Sequence, residues 1–189
     1  SLFIVMSVPS WLARWILVRK WVLPVVRKAT RFLMATILFN ALIVFFHWPV
    51  IVTLTLNNGL IHFLAHFVMV ICFVVIWMVI VSPAPEIRRP TPIIQMIFLF
   101  LQSVIPTIPA SFLTFGSTPL YKVYVDLPKL FSLTALEDQR IAGLVMKLGG
   151  GLLLWGVIAV IFFQWSSSEG KRELRYRRSI GNKLKAEKS

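Results

Sequence analysis

Residues 58–81 read NGLIHFLAHFVMVICFVVIWMVIV, and the reading of this stretch decides the fold. From Leu60 to Val81 it carries no Asp, Glu, Lys or Arg. That run predicts about 33 Å of helix at about 1.5 Å per residue, enough to cross a bilayer core. It also holds two of the three histidines of the chain, His62 and His66. Four residues apart, they lie one above the other on a single helix face. Met69 lies seven residues from His62 and three from His66, and extends the stripe one turn deeper.

Composition agrees with a membrane reading. The chain has 189 residues, 58% of them hydrophobic, and only 14% are charged, well below the share in soluble domains. The net charge is +13, and the basic residues cluster at the ends of apolar runs. Such clusters hold loops on the cytoplasmic side. Nucleic-acid binding is set aside, because no soluble domain is left to carry it. Membrane lipid is an expected partner, and the basic tail adds attraction to anionic headgroups. The single cysteine, Cys72, excludes an intrachain disulfide and a Cys-rich zinc site. Within an apolar run it reads as a small buried hydrophobe.

Working outward, the expected fold is an all-α polytopic membrane bundle, with four clear transmembrane helices and a partial N-terminal one. Residues 1–31 form the partial segment and a basic loop, with Pro9 breaking the apolar run and Trp11, Trp15 and Trp21 suited to the headgroup level. No signal peptide is evident. Residues 32–165 form the bundle. The first span covers 32–47 and stops at His47-Trp48-Pro49, where Pro49 ends or kinks the helix. Residues 50–56 either continue it or form a re-entrant turn, and Asn57-Asn58-Gly59 signals a turn. After 60–81, Ser82-Pro83-Ala84-Pro85-Glu86 is a stop and linker, and Pro92 opens a span over 93–115, interrupted by Pro106 and Pro109. A long loop with Pro119, Tyr121, Tyr124, Asp126 and Pro128 leads to a last span over 141–165. There Gly149-Gly150-Gly151 permits close helix approach. Residues 166–189 form a basic cytoplasmic tail, expected to be disordered beyond its first turns. Lysine and arginine counts alternate from end to end, so the loops at 47–62 and 116–138 fall outside and the C-terminus inside.

This topology draws His47, His62, His66, Asp138 and Met146 toward one side from three helices. Imidazole suits copper, zinc and iron, and thioether selects Cu(I), so the donor set with Met69 points to copper as the bound metal. The alternatives stay open on the residues alone. His62 and His66 also serve as interhelical hydrogen-bond partners, and Met69 and Met146 as packing. Asp138 either orients a histidine or caps the last helix. Lys147, inside the last apolar run, snorkels outward. Phosphate-loop and hydrolase chemistry are excluded: the triple glycine lacks a following Lys-Ser/Thr, and no Ser/His/Asp arrangement appears. No bond-making reaction is expected, so the chain does not read as an enzyme.

The same residues resemble a known family, the membrane-integral CtaG-type cytochrome c oxidase assembly proteins. The likeness runs through His47-Trp48-Pro49, then His62-Phe63-Leu64-Ala65-His66, then Pro119-Leu120-Tyr121 with Tyr124. It ends on 137–146, EDQRIAGLVM, followed by the glycines, and spans roughly 32–165. The resemblance implies a multi-pass protein of the bacterial cytoplasmic membrane that assists maturation of haem–copper oxidases at the copper-insertion step. Its partners would be an oxidase subunit or a copper donor protein. The family's histidines fall on His47, His62 and His66, and its Asp and Met on Asp138 and Met146. The family also fuses this module to a CopD-like membrane domain, and a chain starting at Ser1 fits part of such a precursor. Two departures stand out. Lys147 replaces a usual aromatic residue, and the family's upstream helices, often bearing further histidines, are missing. The leading expectation is Cu(I) handling on the outer face. The competing ones are a metal-free structural scaffold of a membrane complex, copper transport, and b-type haem ligation by facing histidines.

Overall fold

The computed structural model describes residues 2–7, 9–17, 19–84, 86–125 and 133–186. Ser1, Pro85, Asp126 and Pro128 lie outside these ranges. Among the described residues every regular element is helical. The chain runs through α1 (Leu2–Ser7), α2 (Ser10–Leu17), α3 (Val22–Ala29), α4 (Phe32–Phe46), α5 (Pro49–Asn57) and α6 (Gly59–Val81). Then follow α7 (Pro92–Val104), α8 (Thr107–Phe115), a 3-10 turn at Lys122–Tyr124, and α9 (Ala135–Ala186).

The breaks between helices have local chemical causes. Pro49 and Pro92 stand at the first turn of α5 and α7, where a missing N–H costs nothing. Asn58 caps α6: its Oδ1 accepts from the N–H of Leu60 at 3.0 Å and of Ile61 at 3.2 Å. Pro106 separates α7 from α8. Helix α6 ends at Ser82, in the left-handed region at φ 49°. Residues 50–56, left open as continuation or turn, belong to a separate short helix that packs on α6.

Three helical stretches are long and apolar enough to cross a membrane: Gly59–Val81, Pro92–Phe115 and Ala135–Ile180. A fourth exists if α3 and α4 are one broken span, bent by 82° between them. The expectation of four clear spans is met by three, or by four when the segment at 32–47 is counted with α3 as one bent span. The helix of that segment has 15 residues, about 22 Å, short of a bilayer core of about 30 Å.

Two expectations are corrected. The tail is not released after its first turns. It continues α9 as one 52-residue helix. Arg172–Glu169 and Arg177–Glu173 pairs at i,i+3 and i,i+4 reinforce its polar part. The triple glycine does not mediate close approach: a Cβ at Gly149, Gly150 or Gly151 would meet nothing within 4 Å. Close approach occurs instead at Gly143. A Cβ there would lie 2.6 Å from Thr114 Oγ1 and 3.0 Å from both the Ala110 carbonyl and Leu113 Cβ.

The core lies toward the arginine-bearing end of the bundle. Ile76, Trp77, Met78, Val79 and Ile80 of α6 pack with Phe98 and Leu99 of α7 and with Ala35 and Phe39 of α4. Ala84, Ile87 and Ile161 join the same cluster. The opposite half of α6, which bears the histidines, buries only Ala65 between Gly59 and Ile71. Its remaining side chains are exposed, apart from half-buried Met69.

Candidate metal site at the histidine end

The i, i+4 spacing does what helix geometry requires. The rings of His62 and His66 lie with centroids 4.6 Å apart, tilted by 48°. Both residues are exposed, and Met69 one turn further is half-buried. His47 closes α4 and is half-buried. Its Nδ1 lies 2.7 Å from the Ile43 carbonyl. With the proton on Nδ1 donated to that oxygen, Nε2 carries the free lone pair, the arrangement that orients metal-bound histidines.

The loop before α9 is tied to this end. Tyr121 Oη donates to the His47 carbonyl at 3.1 Å. Burial and the neighbouring Tyr124 push the Tyr121 phenol up to about 12, so it remains a protonated donor. Buried Gln139 spans the loop and the helices: its Oε1 accepts from the Leu120 N–H at 2.6 Å, and its Nε2 donates to the Leu113 carbonyl at 3.1 Å. Arg140 donates to the Gly116 carbonyl at 3.1 Å.

The start of α9 shows a reciprocal cap that sequence reasoning missed. Thr134 N–H and Oγ1 both donate to Glu137 Oε2 at 2.8 Å, and Glu137 N–H donates to Thr134 Oγ1 at 3.2 Å. The signal was present as Thr134-x-x-Glu137 ahead of an apolar run. The hydrogen bonds from Thr134, with a smaller contribution from Arg140, hold the Glu137 carboxyl below its ordinary range. Asp138 is exposed in the first turn beside this cap and does not supply it.

Met146 belongs to different surroundings. With Lys147 it lines a cavity of about 520 Å³ between α4, α6, α7 and α9, whose walls include Phe39, Trp77 and Gln102. Lys147 lies 5.7 Å from the Phe115 ring centroid, a cation–π distance, so its charge leans toward the end of α8 as the snorkelling expectation requires. Beside the cavity, Asn40 donates to Gln102 Oε1 at 2.9 Å, and Gln102 Nε2 donates to Thr36 Oγ1 at 3.3 Å. This polar bridge between α4 and α7 was also missed, because nothing in the sequence shows that the Thr36/Asn40 face of α4 meets Gln102 of α7.

The structure therefore joins His62 with His66, ties His47 to the Tyr121 loop, and sets Met146 on an inner wall. Among the described residues no group of three or more His, Cys, Asp or Glu side chains is placed to hold a metal ion. The EDQR segment is a fastening device: Glu137 caps, Gln139 and Arg140 clamp, and Gly143 allows the α8–α9 seam. Comparison with curated proteins and with solved structures found no match for the chain. The sequence model of the cytochrome c oxidase caa3 assembly factor family matches residues 1–168, and the chain belongs to that family.

Proposed function

We propose that the chain handles Cu(I) at one membrane face during assembly of a haem–copper oxidase, with copper as cargo. The observation that carries this reading is the pair of exposed imidazoles, His62 and His66, on adjacent turns. Two nitrogen donors open to the surroundings suit a transfer site, because a donor or acceptor protein completes the coordination and takes the ion away. Met69 extends the stripe with a soft thioether. His47, with Nε2 free, is the next candidate ligand. Met146 and Asp138 are assigned lesser parts: Met146 as a thioether on the inner cavity wall, Asp138 as an acceptor orienting a histidine. Membership of an assembly-factor family supports the setting. We place the protein in the bacterial cytoplasmic membrane, with the histidine end outside and the C-terminus in the cytoplasm, on the alternation of basic loops.

A scaffold role is the second reading. It is favoured by α9, where only 6% of the most apolar window is buried within the chain. Copper measurement separates the two. Detergent-purified protein, loaded with Cu(I) under reducing conditions, is expected to retain near-stoichiometric copper and to lose it in the His62→Ala/His66→Ala variant. No copper in either sample removes the ligand reading and leaves the scaffold.

A further inference from the structure

At the end of the bundle opposite the histidines, a cleft of about 1070 Å³ opens between the α3–α4 bend and the segment leading into α7. Arg27, Arg31, Arg88 and Arg89 line it, with Leu33 and Ile37 among the apolar residues of its wall. Leu33 and Ile37 are 67% and 62% exposed, so this wall is not covered by the chain itself. One turn apart on α4, they form a single strip.

The charges here are not balanced from within. Glu86 is the one carboxylate in the lining, and its Oε1 is taken by Arg14 at 3.0 Å. Arg27 spends its Nε–H on the Glu86 carbonyl at 3.2 Å. Arg31, Arg88 and Arg89 have no ion-pair or hydrogen-bond partner among the described side chains. Two helices also begin at this cleft: α4 after Arg31 and α7 after Thr91, neither with a side-chain cap. Their positive dipole ends add to the guanidinium charge. The lining is thus anion-seeking at its rim and apolar along α4, the profile of a molecule with an acidic head and hydrocarbon tails.

We propose that this cleft holds one anionic diacyl phospholipid of the surrounding membrane. Its phosphate is bound by Arg31, Arg88 and Arg89, and an acyl chain lies along Leu33 and Ile37. A neutral lipid offers no phosphate, and a zwitterionic one brings its own cation beside the phosphate, so either leaves the net charge of the arginines uncompensated. A free phosphate would leave the apolar strip bare. Guanidinium forks match phosphate oxygens in pairs, which makes arginine the residue suited to this head group.

The test is native mass spectrometry of the detergent-solubilised chain, titrated with phosphatidylglycerol and with phosphatidylcholine of the same acyl length. One phosphatidylglycerol is expected to bind at least about tenfold more tightly than phosphatidylcholine. The Arg31→Gln/Arg88→Gln/Arg89→Gln variant is expected to lose that preference. A tail variant losing the same number of charges, Lys171→Gln/Arg175→Gln/Arg178→Gln, is expected to keep it. Arg88→Gln alone, at an exposed loop position, should show a smaller loss and stands in if the triple variant does not fold. Equal binding of both lipids, an unaffected cleft variant, or an equal loss in the tail variant would overturn the proposal. So would glycerol phosphate competing as well as the whole lipid, since that would mean the tails contribute nothing.

Discussion

Gly143 is the residue at which the least chemistry does the most structural work. Its missing Cβ lets α9 lie against Ala110, Leu113 and Thr114 of α8. Replacing it with leucine pushes atoms into backbone as well as side chain, and overpacking of this kind costs about 1–3 kcal/mol. Gly143→Leu is expected to lower the thermal midpoint in detergent, whereas Gly149→Ala, facing open space, should not. Equal losses in both would mean that α8 and α9 do not meet at Gly143. The contrast marks a limit of the sequence. Three consecutive glycines draw the eye, but packing depends on which face meets a neighbour. A lone Gly143 within IAGLV gives no sign of that. His62 and His66 were legible because a helix fixes i and i+4 on one face whatever surrounds it. Whether His47 and Met146 join them depends on the paths of other helices, which spacing along the chain does not encode.

At the scale of the element, α9 begins with a cap whose strength depends on pH. The Glu137 carboxyl is held below its ordinary value of 4.5 by hydrogen bonds that exist only in the folded turn. A carboxyl with a depressed folded value stabilises above its unfolded value and loses that contribution as pH falls through the folded one. Amide-exchange protection over 135–139, with the intrinsic pH dependence divided out, should therefore be constant from neutral pH to about 5 and fall below about 4.5. Glu137→Gln should flatten this profile, and Thr134→Ala should weaken the first turn by about 1 kcal/mol at neutral pH and by less once Glu137 is protonated, because the Thr134 hydroxyl donates to its carboxylate. A profile unchanged by Glu137→Gln would dismiss the cap as the cause. Helix starts were in part readable here: Pro49, Asn58 and Pro92 all mark them. The far end of α9 was not, because charge density argues for solvation and does not distinguish a solvated helix from a solvated coil.

The whole molecule is polarised. Its packed core and the arginines at 27, 31, 88 and 89 lie at one end, and its histidines and clamped loop at the other. The proposed sidedness rests on the alternation of basic segments and can be checked directly. In a Cys72→Ala background, cysteines placed at Ser117 and Ser179 are expected to react with an impermeant thiol reagent from opposite faces of sealed vesicles. Labelling from the same face would overturn the proposed orientation. Fold class and the order of the spans were legible because an unbroken apolar run has few alternatives in a membrane. The bend between α3 and α4 was not, since Thr30 and Arg31 carry neither the proline that marks the breaks at 49, 92 and 106 nor a turn signal like Asn57-Asn58-Gly59.

The single-piece character of α9 has a mechanical consequence. From 166 to 186 the helix extends about 31 Å beyond the apolar part, with no joint between them. A turn of the membrane portion about its axis therefore arrives at the charged end with its angle preserved. The azimuth of the basic side chains is locked to that of Gly143. One alanine inserted near Ser167 would rotate everything beyond it by about 100°. Any partner that reads both ends at once would find them out of phase.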